Sequence, residues 1–323
     1  MLLSFIIPLY NCEEYISHSL DSILGSQLPQ DDYEIIVIND GSRDQGPEIC
    51  QKYAKEHEQI RFITQKNKGA SAARNAGIDI AQGDYIWFVD ADDLIVPSFL
   101  SKAFLLLKEG SVELLCFNHQ RLYTEKTVDV TEFTHVKKFS GIDYFRGHYC
   151  HFVWNKIYKV SSLKDIRYLD GTKNIEDMLF NMMVIIDIKH VCCVPEYGYQ
   201  YNCTNNSSTS RNRNLRNLVK LDQDSMVVLH CLERLANKQT EETKKEVLLE
   251  ELNFSISGHL YSLFRFYTPQ RLQKRITDYR KMGLYPVKHN YSKKSNTFLL
   301  LANHDTLFVN IMRIIFWIKQ LIR

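Results

Sequence analysis

Three aspartates within four positions, Asp90, Asp92 and Asp93, end the stretch "GDYIWFVDADD" at 83–93. Carboxylates crowded at the end of an apolar run repel one another and lose solvation, and a divalent cation relieves both costs. Mg2+ or Mn2+ takes one or two carboxylates and fills its remaining positions with phosphate oxygens and water. The cluster therefore predicts a metal–diphosphate site, with Asp90 and Asp92 able to face one ion. A second acidic pair, Glu176-Asp177, opens a helix-like run at 178–187. Acidic residues there suit the helix dipole, and one of them could equally be a general base. No Ser/His or Cys/His nucleophile constellation is evident in the sequence. A cation with a separate base suits direct displacement on a phosphate-activated substrate.

Such groups need strands whose ends meet at one edge. Apolar runs of strand length at 2–8, 33–38, 60–64 and 85–89 alternate with helical patterns at 13–24, 47–57 and 70–81. This alternation predicts an α/β domain with a mainly parallel, Rossmann-like sheet and flanking helices. Ligands bind at the carboxyl ends of such strands. The polar residues there are Tyr10-Asn11, Asp40-Gly41-Ser42, Lys66-Asn67-Lys68-Gly69 and the aspartate cluster. Each could be an ordinary turn or helix cap, but together they mark one edge.

Beyond residue 94 a helix is expected at 99–108 and a strand at 113–118. Residues 119–150 read as short strands or an insertion, and 215–281 shows helical periodicity. The predicted organisation is a catalytic domain over 1–210 and a helical extension over 211–323. The chain has 323 residues, is 45% hydrophobic and carries a formal charge of +2, an ordinary globular profile. That balance argues against a nucleic-acid partner, which calls for a basic excess. The eight cysteines form no framework, and His190, Cys192, Cys193 and Cys203 fit no usual structural-zinc spacing. Reduced thiols in a cytoplasmic protein are expected. The opening "MLLSFIIPLYN" reads as a buried strand rather than a secretion signal, and no run is long enough to span a bilayer.

The segments "FIIPLYNCEEYI", "IIVINDGSRDQ", "NKGASAARNAGI", "GDYIWFVDADD", "WNKIYK" and "IEDMLF" together resemble the family 2 glycosyltransferases, over about residues 1–210. The resemblance implies a GT-A fold and an inverting transferase that uses a nucleotide sugar, most often a UDP-sugar, with Mn2+ or Mg2+. It implies that Pro8 and Tyr10 shape the base pocket and that Asp40 bonds the base. Lys66 and Arg74 would line the nucleotide side, Arg74 near ribose or phosphate. Asp90 would contact ribose or the metal shell, and Asp92 would ligate the metal. Asp177 would be the catalytic base with Glu176 in support, and Trp154 and Lys156 would lie near sugar and acceptor. The implied acceptor is a glycan hydroxyl, commonly lipid-linked, in bacterial surface-polysaccharide assembly. An Asp-x-Asp phosphatase normally has its nucleophile after the first strand, where this chain has Pro8-Leu9-Tyr10-Asn11. A dinucleotide-dependent oxidoreductase needs a glycine-rich first turn, which is absent here. A non-catalytic nucleotide-sugar binder is the remaining rival, and intact Asp92 and Asp177 weigh against it.

Two further segments each have two readings. The polar stretch 203–217, with Arg211, Arg213 and Arg216, is either a solvated loop or a flap over the diphosphate. The segment 298–323 carries an apolar helical stripe, Leu307, Ile311, Ile314, Ile318 and Leu321, with Phe316 and Trp317 beside it. Arg313, Lys319 and Arg323 make it basic. It is either a helix packed on the extension or an interfacial helix on the inner face of the cell membrane. The membrane reading predicts that deleting 298–323 moves the protein from the membrane pellet to the supernatant; an unchanged pelleted fraction counts against it.

Overall fold

The computed structural model describes residues 1–26, 28–148, 150–205, 215–266 and 269–287, with six positions between Thr306 and Ile314. Most of the 203–217 stretch and of the segment 298–323, including Phe316, Trp317, Ile318 and Leu321, lies outside the described residues. The chain divides into two compact units, Met1–Asn212 and Arg213–Arg323.

The first unit is built on one sheet. Its elements are β1 (Leu3–Leu9), α1 (Ile16–Leu24), β2 (Tyr33–Asn39), α2 (Gly46–Glu56), β3 (Ile60–Thr64), α3 (Ala70–Ile80) and β4 (Tyr85–Phe88). These are followed by β5 (Leu94–Ile95), α4 (Pro97–Lys108), β6 (Leu114–Leu122), β7 (Thr127–Val130), β8 (Lys137–Phe139) and α5 (Gly141–His148). The last are β9 (Lys156–Lys159), α6 (Val160–Leu163), α7 (Glu176–Ile185) and β10 (Val191–Asn202). Strand order is β3-β2-β1-β4-β9-β6-β10-β5, with β7 on β6 and β8 on β10.

The expected parallel sheet holds for β3, β2, β1 and β4, which pair in parallel. β9 then pairs antiparallel with both β4 and β6, while β10 is parallel to β6. The sheet is therefore mixed. β6 and β10 still run in the direction of β4, so their carboxyl ends reach the same edge. β9 runs against them and brings its first residue, Lys156, to that edge.

The central strands read as unbroken apolar runs because both faces are covered. Leu3, Phe5, Ile7 and Leu9 belong to a core shared with Ile16, Leu20, Phe99 and Leu100. Ile36 and Ile38 pack on Ala73 of α3 on the opposite face. α3 approaches very closely: a Cβ at Gly77 would lie 2.4 Å from Ile6 Cγ2. β10 is kinked by irregular pairing between Val194 and Tyr199. Its far end reaches β5 and the aspartate turn.

The second unit contains α8 (Leu215–Lys238), α9 (Glu242–Phe266) and α10 (Pro269–Lys281). A buried polar network joins all three. Arg275 donates from Nε and Nη2 to both oxygens of Asp222, at 2.7 Å each. His259 bonds Asp222 from Nε2 at 3.1 Å and meets the Tyr279 hydroxyl at Nδ1. Burial opposes the Asp222 charge, but the His259 and Arg275 bonds outweigh it and hold the carboxyl well below its usual range. None of the described helices is long and apolar enough to cross a membrane.

Gly77 tests how α3 is held. Gly77→Ala is expected to destabilise the protein by about 1–3 kcal/mol through overpacking on Ile6, measured by urea denaturation. A variant as stable as the parent would show that α3 does not press on β1.

Candidate active site

At the edge, the loops after β1 and β2 hold each other. The Asn11 N–H donates to Ser42 Oγ at 3.1 Å, and Asn11 Oδ1 accepts the Arg43 N–H at 2.9 Å. Pro8 is half-buried there and Tyr10 is 48% exposed, presenting an open aromatic ring. Asp40 is buried and organises the loop after β3. It accepts from Gln65 Nε2 and the Lys68 N–H, both at 2.8 Å, and from the Gly69 N–H at 2.7 Å. Gly69 has φ +95, a conformation that favours glycine. Lys66 in that loop is exposed.

The aspartate cluster separates into three environments. Asp93 is fully buried and anchors the turn, accepting the Tyr199 hydroxyl at 2.8 Å and the Asn202 N–H at 2.7 Å. Burial raises its pKa, reinforced by Asp92 and Asp90. The Tyr199 oxygen in turn accepts the Asp90 N–H at 3.0 Å. Asp92 is half-buried and accepts from Asn205 Nδ2 at 2.7 Å. The Asp90 side chain is 30% exposed and pairs with Arg74 Nη2 at 2.9 Å.

Arg74, on α3, is the junction of the site. Its Nη1 lies 3.2 Å from Asp177 Oδ1 and 3.7 Å from Glu176 Oε1, and its guanidinium stands 5.3 Å from the centre of the Tyr168 ring. Only 6% of its side chain is exposed. Burial alone would discharge it, but Asp177 and Asp90 outweigh that and keep it protonated. Asp177 is the second residue of α7 and is 25% exposed along its side chain. Burial pushes its carboxyl up to about 7; Arg74 pulls it down, and Glu176 and Asp90 push it further up. A carboxylate titrating near neutrality is suited to general-base work.

Trp154 and Lys156 are both buried. Trp154 stacks between Phe152 and Tyr199, at ring separations of 4.6 and 4.7 Å. Lys156 Nζ donates to the Phe152 carbonyl at 2.5 Å, Asn155 Oδ1 at 2.9 Å and the Cys150 carbonyl at 3.1 Å. Asn181 Nδ2, one turn beyond Asp177, donates to the His151 carbonyl at 2.8 Å and the Phe152 carbonyl at 3.2 Å. These residues tie the β9 approach to the helix that carries Asp177. All eight cysteines are free of disulfides.

Sequence reading missed Tyr168, Tyr199, Asn205 and Ile175. The first three carry no motif signature, because their roles depend on contacts across the fold. Ile175, at φ +54, is visible only in the backbone.

Among the described residues no three His, Cys, Asp or Glu side chains form a closed metal cage. Asp90 and Asp92 nevertheless fit an open Mg2+ or Mn2+ site, which needs only one or two carboxylates and leaves positions for diphosphate oxygens and water. Both are oxygen donors at a partly exposed strand end.

Comparison with known proteins agrees with this architecture. The sequence matches Glycosyl transferase family 2 over residues 4–166. It is 31% identical over 216 residues to a poly(ribitol-phosphate) beta-glucosyltransferase of Bacillus spizizenii, covering 62% of this chain and 32% of that protein. It is 26% identical over 273 residues to the poly(ribitol-phosphate) beta-N-acetylglucosaminyltransferase TarS of Staphylococcus aureus, covering 80% of this chain and 45% of TarS. The chain thus spans less than half the length of these two curated relatives. The structure of S. aureus TarS 1–349 in complex with UDP-GlcNAc superposes with a TM-score of 0.60 at 19% identity, covering 95% of this chain and 90% of that one. The mannosyltransferase PcManGT from Pyrobaculum calidifontis, in complex with GDP-Man and Mn2+, gives 0.56 at 14% identity, covering 95% and 85%. At such identities the structural likeness shows the GT-A fold, and the sequence match shows the family: the chain belongs to the family 2 glycosyltransferases.

Proposed function

We propose that the protein is a metal-dependent inverting glycosyltransferase. It moves a sugar from a UDP-sugar to a hydroxyl of a glycan acceptor, lipid-linked, in bacterial surface-polysaccharide assembly. The observation that carries the reading is the meeting of Asp177, a carboxyl poised near pH 7, with the Asp90–Asp92 turn through one guanidinium. The relatives named for transfer to poly(ribitol phosphate), and the neighbours holding UDP-GlcNAc or GDP-Man with Mn2+, support the donor class and the metal.

In this reading Pro8 and the open Tyr10 ring receive the nucleotide base, and the loop organised by Asp40 closes that pocket, with Lys66 at its rim. Asp92 and Asp90 would hold Mn2+ or Mg2+. When bound, the cation neutralises the diphosphate and makes it a good leaving group. Asp177 takes the proton from the acceptor hydroxyl as that oxygen forms its bond to the anomeric carbon. The sugar–phosphate bond breaks on the opposite side, and its electron pair leaves with the nucleoside diphosphate. One displacement inverts the anomeric centre. Glu176 sustains the local negative charge, and Trp154 and Lys156 support the acceptor side from beneath. The protein works in the cytoplasm against the inner face of the cell membrane, with 298–323 as the peripheral contact.

Two substitutions separate the roles. Asp92→Ala is expected to abolish transfer and weaken Mn2+-dependent UDP binding. Asp177→Asn is expected to lower transfer by about 10²–10⁴-fold while leaving UDP binding within about threefold of the parent. A base must be ionised to act, so transfer should rise with pH through about 7 and level off above it. UDP release from a panel of UDP-sugars with Mn2+, and calorimetry with UDP, measure these outcomes. Full transfer in either variant would refute the assignment.

A further inference from the structure

We propose that Arg74 is a positioning residue for the reaction: its guanidinium fork holds the Asp177 carboxylate and Asp90 in one fixed relation, locking the base to the metal-side turn. The inference rests on Asp177 being the base and adds how that base is placed.

Three elements distant in the chain converge here. Arg74 on α3 reaches Asp177 on α7 across 103 residues and Asp90 after β4 across 16. Different nitrogens serve the two carboxylates: Nη1 faces Asp177 and Glu176, and Nη2 faces Asp90. A planar fork can fix two partners at a set angle, whereas a lysine offers a single point charge. The guanidinium is the largest positive influence on Asp177, ahead of Lys156.

The neighbours of Arg74 on α3 grip the same partner segment. Asn75 Nδ2 donates to the Tyr168 carbonyl at 2.9 Å, and the Tyr168 N–H donates to Asn75 Oδ1 at 2.8 Å. Ser71 Oγ donates to the Thr172 carbonyl at 3.3 Å. The segment leading into α7 is therefore seated on α3 at two places, Tyr168 and Thr172, and Arg74 makes the contact to Asp177. Tyr168 is itself fixed, stacked on Phe180 at 4.1 Å. Arg74 Nε is buried and has no hydrogen-bond partner among the described residues, so the guanidinium's contacts to protein run through Nη1 and Nη2. The fork is turned toward protein carboxylates.

The test uses the full chain with UDP and Mn2+ as probes and carboxyl-carbon NMR of 13C-aspartate-labelled protein, with Asp177 assigned through Asp177→Asn. In Arg74→Gln, the Asp177 midpoint, about 7 in the parent, is expected to rise by about one to three pH units as the cation is lost. UDP·Mn2+ affinity should stay within about threefold. In Arg74→Lys, which keeps the charge and loses the fork, kcat is expected to fall on the order of 100-fold with little change in donor KM. An unmoved Asp177 midpoint in a folded Arg74→Gln protein overturns the proposal. So does a drop in UDP affinity that matches the loss of transfer, which would make Arg74 a nucleotide ligand. Should Arg74→Gln fail to fold by thermal melting, Arg74→Lys decides: parental kcat there also overturns it. Full activity in Asp177→Asn would instead remove the base assignment, and the NMR result would still report whether Arg74 holds that carboxylate.

Discussion

The ion cluster around Arg74 is the constraint on which the rest of the site depends. A buried guanidinium is costly unless it is paired and hydrogen-bonded. Here it is opposed by Asp90, Glu176 and Asp177. Lys156 adds a second, weaker positive influence on Asp177. Glu176 and Asp90 also help to lift Asp177 toward neutrality.

The fold holds this cluster by fixing each contributor from behind. Asp93 gives up any role at the open edge and pins the aspartate turn to β10 through Tyr199 and Asn202. Tyr199 then stacks on Trp154, whose backbone carbonyl accepts the Trp87 indole N–H at 2.7 Å. The turn, the β9 approach and the centre of the sheet are thereby joined by aromatic and hydrogen-bonded contacts. Asn181 extends the chain of contacts to α7. Polar groups at the open edge can be crowded because the layer beneath them cannot shift to relieve the crowding.

Much of this was legible in the sequence, for physical reasons. Apolar runs ending in Asn11, Asp40 and Asp90 mark strands whose carboxyl ends share an edge, since parallel pairing sets that register. The acidic pair at 176–177 is local and marks a helix start. What sequence could not reveal was the insertion of β9 between β4 and β6, because a four-residue strand carries no direction in its pattern. Nor could it reveal that Lys156 and Trp154 are buried supports: a motif fixes residue identity, while burial depends on what packs across the sheet. Arg74 was identifiable as important but not as a partner of Asp177, since no local pattern links residues 103 apart. The triad of Asp222, His259 and Arg275 in the second unit was hidden for the same reason, within a region whose pattern indicates only amphipathic helices.

The start of α7 shows how the placement of Asp177 is enforced. Ile175 is β-branched and sits at φ +54, ψ +13, where such a side chain is strained by about 1–3 kcal/mol. A helix free to turn would relax that residue and carry Asp177 away from Arg74. α7 has no such freedom, because Met178, Leu179, Phe180, Asn181, Met182, Val184 and Ile185 are all buried. A helix apolar on nearly every side cannot rotate without exposing part of that surface. Burial of the body of the helix therefore outweighs strain at its first turn. The strained turn is what delivers Glu176 and Asp177 side by side to the guanidinium.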